Sequence, residues 1–150
     1  MKKPRLEYDK QGVTSNITSS EWSNADDIDF SEVFVANATM TYDVINDKIN
    51  DGKHIVFQPG VYNLTGTIEV TNPGCVLLGL GMATLVSSTG QTIIQVHDVD
   101  DVRIAGLLLE AGPVKTDILL KWGQTKSTGN PERPGAMSDI YARSGGPNHQ

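Results

Sequence analysis

A single cysteine, Cys75, in 150 residues leaves nothing for an intramolecular disulfide and no spacing for a cysteine-ligated zinc. It stands just before the apolar Val76-Leu77-Leu78, which predicts a small buried strand residue rather than a reactive thiol. Aromatic residues are few, at 6%, and no apolar run approaches the length of a membrane span, so a membrane is not expected as a partner. Basic residues are outnumbered, 12 Lys and Arg against 18 Asp and Glu, for a net charge of -6. A nucleic-acid backbone does not reward such a surface, so no nucleic acid is expected either, and neutral or cationic ligands remain. His54, His97 and His149 have no partner spacing, which predicts no metal centre, no Ser-His-Asp arrangement and no cofactor. After Met1-Lys2-Lys3, residues Pro4 to Lys10 supply no apolar core for a signal peptide, so no export signal is read there.

What the chain does have is turn residues and short apolar bursts. Gly is 15 and Pro is 7, charged residues are 20%, and this favours a turn-rich β protein over a helical bundle. The length is one domain's worth, but 38% hydrophobic content is low for a self-contained core, so the chain is expected to lean on something else for burial. Between His54 and Leu120 two bursts repeat each other: Val76-Leu77-Leu78-Gly79-Leu80-Gly81 and Val102-Arg103-Ile104-Ala105-Gly106-Leu107 start 26 residues apart. Each is followed by two more bursts on a similar schedule. A period in the twenties with three short strands per period is what a solenoid of parallel strands needs, because each coil buries its inward side chains only against its neighbours.

Residues 1–32 are polar and aperiodic, with Tyr8 and Trp22 as anchors and an acidic run Asp26-Asp27-Ile28-Asp29. They read as an extended arm along a larger body, with disorder as the alternative. Residues 33–150 read as solenoid coils. Val33 to Ala36 is a short strand, and Thr41 to Asn50 the one convincing helix, with Val44, Ile45 and Ile49 on one face and Gly52 as its stop. A helix before the first coil would cover an otherwise open row of backbone donors and acceptors; a surface helix on another β fold is the alternative. Coil starts are expected at Ile55, Val76 and Val102, with Ile55 over Val76 over Val102 and Phe57 over Leu78 over Ile104 as the inward stacks. A jelly roll or sandwich is the rival architecture. Residues 124–135 form a long polar loop inserted in a coil, and Ser138 to Arg143 read as the next strand.

These residues carry a resemblance. Phe34-Val35-Ala36, Phe57-Gln58-Pro59-Gly60-Val61-Tyr62, Leu77 to Leu85, Asp98 to Leu107 and Met137-Ser138-Asp139-Ile140 resemble the N-terminal coils of secreted proteins with the pectin-lyase-like right-handed parallel β-helix. Within that superfamily the chain is most similar to a group of large bacterial and fungal glycan-active proteins, often misnamed adenylyl cyclase or coagulation-factor-type domain protein. The resemblance covers about residues 30 to 147. It implies an all-β right-handed parallel β-helix, an extracellular location, and a polysaccharide as partner. The function it implies is that of the N-terminal portion of a polysaccharide (glucan) hydrolase using paired carboxylates, inactive as this piece alone. It also implies further chain, or another subunit, over the open C-terminal coil. A non-catalytic binding or structural module, such as a tail spike, adhesin or surface protein, is the alternative.

Glycoside hydrolysis needs two carboxyl groups about 5 to 9.5 Å apart, and equivalent positions on adjacent coils lie about 4.8 Å apart. The acidic candidates are Asp98, Asp100, Asp101, Glu110, Asp117 and Asp139. The run Asp98-Val99-Asp100-Asp101 precedes a strand in a turn where Asp bonds its own backbone, and too few oxygen ligands accompany it for calcium. Glu110, at a strand end, and Asp139, in the strand after the long loop, are the better-placed catalytic pair, with loop anchoring as the plainer role. Trp122 and Tyr141 flank the loop as candidate sugar-stacking residues, with rim packing as the alternative. Polygalacturonase-type Asn-Thr-Asp and Gly-His-Gly signatures are absent, as are the Arg-Pro-centred strands of pectate lyases.

Overall fold

Short bursts of Val, Ile and Leu that recur without hairpin spacing have one way to pair, side by side in parallel across coils. The computed structural model, which describes residues 1–4, 25–125 and 129–144, has that arrangement. Strands β3 (Val33–Ala36), β4 (His54–Phe57), β7 (Val76–Ser87), β9 (Arg103–Ala111) and β11 (Ala136–Arg143) stack in that order in one sheet, with β5 (Val61–Leu64) pairing the second half of β7. A second sheet stacks β6 (Ile68–Val70), β8 (Ile94–Val96) and β10 (Leu120–Trp122). Every one of these pairings is parallel. The result is a parallel β-helix of about four turns, as the repeat predicts.

In the first coil Gln58-Pro59-Gly60 separates β4 from β5, whereas β7 and β9 run through the same corner as single strands. The corner is turned by left-handed backbone: Gly81 and Met82 in β7 (φ 58° and 57°), Gly106 in β9 (φ 68°) and Asp139 in β11 (φ 51°). Between Gly79 and Gly106 the backbones approach so closely that a Cβ on either would collide with the other.

Each step from coil to coil is one residue longer than the sequence predicts, so the stacks run one residue later in the second coil and two later in the third. Ile55 pairs Leu77, Leu77 pairs Ile104 and Ile104 pairs Met137, while Val76 faces Arg103 and Leu78 faces Ala105 and Val56. With a side-chain period of two, a slip of one exchanges the inward and outward sets. The expected stacks aligned the first apolar residue of each burst, and in β9 that place belongs to Arg103, whose guanidinium bonds Asp101 and the Pro134 carbonyl. Phe57 faces Gly79 and packs edge-on against Tyr62, with ring centroids 5.4 Å apart. The Tyr62 hydroxyl lies 2.9 Å from the carbonyl oxygens of Ala36 and Gln58, which satisfies the polar tip of a fully buried ring.

Helix α1 (Tyr42–Asn50) covers the N-terminal end of the stack. Ile45 and Ile49 are buried, but Val44 is exposed, because it lies a residue off the i, i+4 row they define. Asn46 does the sealing: its side-chain NH2 donates to the Thr67 carbonyl at 2.8 Å and its Oδ1 accepts from the Glu69 N–H at 2.9 Å. One amide thus offers β6 the donor and acceptor a neighbouring strand would have given it. The Asn72 side chain adds a bond to the Ile49 carbonyl.

At the chain's start β1 (Lys2–Pro4) pairs antiparallel with β2 (Ala25–Asp27), and Lys3 reaches Asp101 at 2.7 Å and the Gly74 carbonyl at 3.2 Å. The expected anchors Tyr8 and Trp22 lie outside the described residues. No helix among the described residues is long and apolar enough to cross a membrane.

Candidate functional site

Where β8 and β10 end, the chain leaves the second sheet through residues 97–101 and, one coil on, through 123–125 and 129–135. Between them is a cleft of about 520 Å3, lined among others by His97, Asp98, Asp100, Trp122, Asn130 and Gly135. Trp122 lies at its floor. The register Val70 to Val96 to Trp122 continues an inward column, and the ring is 38% exposed. A Cβ at position 135 would strike the six-membered ring of Trp122, so Gly135 lets the loop backbone lie flat against the indole.

Both walls are tied down by acids of the preceding turn. The Asp98 carboxylate accepts from the Gln124 N–H at 2.9 Å, the Thr125 N–H at 3.2 Å and the Thr125 hydroxyl at 2.5 Å. The Thr125 hydroxyl, then the Gln124 N–H, hold this carboxyl below its ordinary range. The sequence pointed to Asp98 bonding its own backbone; it bonds the next coil's turn instead, because stacking brings that turn's N–H groups within reach. Asp101, at φ 65°, gathers Lys3 at 2.7 Å, Arg103 at 3.0 Å and Arg133 at 3.1 Å. Burial alone would raise its carboxyl, but hydrogen bonds from Lys3 and Arg133 and the nearby charges bring it below the ordinary value. Arg103 also donates to the Pro134 carbonyl at 2.7 Å, and the Asp101 N–H donates to the Arg133 carbonyl at 3.0 Å.

Other groups at the cleft keep hydrogen-bonding capacity. Asn130 accepts the Glu132 N–H at 3.0 Å through Oδ1, which turns its NH2 outward from that bond. His97 Nε2 lies 2.6 Å from the Glu69 carboxylate. Among the described residues, the acidic groups lining the cleft are Asp98 and Asp100. Sequence reading missed Asn130, Gly135 and the Glu69–His97 pair. Asn130 and Gly135 looked like loop residues. Glu69 pairs Gln95, so a coil-length offset plus two residues on the same face would have found His97.

The carboxylates expected to act as a pair are not brought together. Glu110 is buried and bonded to Arg143, which stands directly opposite it in the register. Asp139 is exposed at the left-handed corner, between the positions facing Ala105 and Leu107. Asp139 stands four residues before Arg143, the residue level with Glu110, which is at most about 13 Å along the strand path. Asp117 is exposed and bonded to Lys115 at 2.9 Å. Tyr141 is exposed on the outer row with Leu108 and Thr84, in the other sheet from Trp122. Cys75 is buried just before β7, and burial pushes its thiol up to about 12.

A family profile described as the LAM55 pectate lyase-like domain matches residues 33–150. An exo-beta-1,3-glucanase of Streptomyces sp. (strain SirexAA-E / ActE) is 34% identical over 137 residues, an alignment that takes in 88% of this chain and 23% of that protein. Among solved structures, sacteLam55A from Streptomyces sp. SirexAA-E is 35% identical with a TM-score of 0.77. A variant of it in complex with glucose is 35% identical with a TM-score of 0.78. Each covers 81% of this chain and 22% of the matched one, so the chain spans less than a quarter of the length of these relatives.

Proposed function

This chain belongs to the LAM55 pectate lyase-like domain family, and from that premise we propose that it forms N-terminal coils of an extracellular β-1,3-glucan hydrolase. The observation that carries the reading is the 34% identity to an exo-beta-1,3-glucanase across nearly the whole chain. The solved structure of a relative holding glucose supports a glucose polymer as the substrate.

The share of the enzyme in this stretch is scaffold and groove. Hydrolysis by paired carboxylates requires a separation of about 5 to 9.5 Å, and the offset between Glu110 and Asp139 argues against their acting across one bond. Glu110 serves as an anchor for Arg143, and the reacting pair is supplied by coils other than those described. Trp122 contributes an apolar surface at the cleft floor, and Tyr141 a ring on the outer face. The uncovered side chains of β11 and β10, Met137 and Trp122 among them, are covered in the working enzyme by further chain or another subunit.

The test is hydrolysis by the complete gene product beside the 150-residue chain, on laminarin, a β-1,4-glucan and a galacturonan. Release of reducing sugar from laminarin by the complete product alone is the expected result. No turnover of any β-1,3-glucan would sink the reading and leave a non-catalytic glycan-binding module in its place.

A further inference from the structure

We propose that Asn63 is an acceptor for an N-linked glycan. The proposal rests on the extracellular reading above, since this modification is made on proteins in export. Three triplets carry the Asn-x-Thr spelling that the transferase reads, none with Pro in the middle: Asn16-Ile17-Thr18, Asn37-Ala38-Thr39 and Asn63-Leu64-Thr65. Spelling alone selects none of them. Geometry separates the two that fall among the described residues.

The transferase has to reach an amide and, two residues on, a hydroxyl. Burial alternates along β5, with Val61 and Asn63 exposed and Tyr62 and Leu64 buried, and Thr65 is exposed again. A strand sends successive side chains to opposite faces, so Leu64 anchors the triplet in the core while Asn63 points outward. The Thr65 carbonyl accepts the Thr89 hydroxyl at 3.2 Å, a backbone bond that holds the triplet in place without engaging the Thr65 hydroxyl. The Gly60 and Leu64 carbonyls take the N–H groups of Thr84 and Ser88 in β7. Alternation then turns the peptide groups of Asn63 to the side away from β7.

Asn37 is the contrast. Its Oδ1 accepts both the Thr39 N–H at 3.0 Å and the Thr39 hydroxyl at 2.6 Å, and the residue is half-buried. The two groups that a transferase must read are there bonded to each other.

The donor is an oligosaccharide on a polyprenyl diphosphate. The Asn63 amide nitrogen bonds to the anomeric carbon of its first sugar, the bond from that carbon to the diphosphate oxygen breaks, and the amide proton leaves to a base of the transferase. The glycan then stands over the outward row of Asn63, Val86, Glu110 and Arg143. That row belongs to the sheet of β7, β9 and β11, whereas the cleft lies at the end of the sheet of β8 and β10. Modification therefore leaves the cleft open.

The test uses the complete gene product, secreted from a eukaryotic host behind that host's own leader. Glycans are released by peptide N-glycosidase in heavy-oxygen water, which marks each former acceptor as a labelled Asp, and the peptides are read by mass spectrometry. Label on the Asn63 peptide is expected, retained in Thr65→Ser and lost in Thr65→Ala, with Asn37 labelled less. Laminarin hydrolysis should be the same for the glycosylated protein and Thr65→Ala, and their Tm values should agree within about 2 °C, as for a change on an exposed face. A bare Asn63, label that survives Thr65→Ala, or Asn37 labelled more fully than Asn63 overturns the proposal. A larger loss of Tm on glycosylation also counts against it, because it would mean that the outward face at Asn63 has no room. Hydrolysis with a bare Asn63 defeats this inference and spares the glucanase reading; a labelled Asn63 without hydrolysis does the reverse.

Discussion

The two ends of this stack present the same column of side chains to different surroundings. Ile55, Leu77 and Ile104, in successive coils, are 0%, 0% and 1% exposed, while Met137, next in the column, is 52% exposed. At the other end the column is covered: α1 lays Ile45 and Ile49 over the first coil, and the Asn46 amide completes the β6 backbone. Position within a coil therefore does not decide burial in a solenoid. The presence of a neighbour on both sides does, so a core residue here is made by stacking and not by its own strand.

The largest test of that contrast is a pair of equal truncations. Leu77→Ala removes a fully buried side chain between two coils and is expected to cost about 2 to 5 kcal/mol of unfolding free energy. Met137→Ala, at the same place in its coil, is expected to cost less than about 1 kcal/mol in the 150-residue chain. Urea denaturation of both reads the difference, and similar losses would mean that Met137 is as well covered as its column mates. Next in size is the seal itself. Asn46→Ala leaves the Thr67 carbonyl and Glu69 N–H without partners, at a cost of about 1 to 3 kcal/mol. Amide exchange at Glu69 should speed up while that of Leu77 and Ile104 falls only with global stability; unchanged exchange at Glu69 would show that water replaces the amide without loss.

Coil architecture was legible in the sequence because stacking demands a period, and the repeat of Val76 to Gly81 at Val102 to Leu107 exposes that period directly. Register was not. An error of one residue in aligning Val76 with Val102 leaves the apolar count of each burst unchanged, and only the pairing of Val76 with Arg103 reveals it. The helix was legible as a cover from Ile45 and Ile49, but Asn46 gave no signal, since an Asn on the polar side of a helix reads as solvated until the strand beside it is known. The cleft was legible only as a long loop. Its walls depend on Asp98 and Asp101 reaching forward by a coil to residues 124, 125 and 133, and such contacts have no local pattern. The same holds for Glu110, whose partner Arg143 is set by register alone.

The smallest effect separates the two ends by pH. His54, at the start of β4, accepts the Val76 N–H through Nδ1 at 3.1 Å, and burial pushes its ring below the ordinary 6.5. Unfolding exposes it to protonation, so the neutral ring contributes stability that is complete above 6.5 and is lost as pH falls from there toward the folded value. Asp101 behaves alike in a lower window. Despite burial, its bonds from Lys3 and Arg133 hold it below 3.8, so its contribution is complete above 3.8 and is lost as pH falls through the folded value. The first window loosens the first coil, beside the helix. The second frees Lys3 and Arg133, and with them the β1–β2 ribbon and the loop that leads into β11. Unfolding free energy measured against pH should therefore fall in two stages, with His54→Asn flattening the upper one and Asp101→Asn the lower. A single stage, or one variant flattening both, would show that the capped end and the open end respond to acid as one unit.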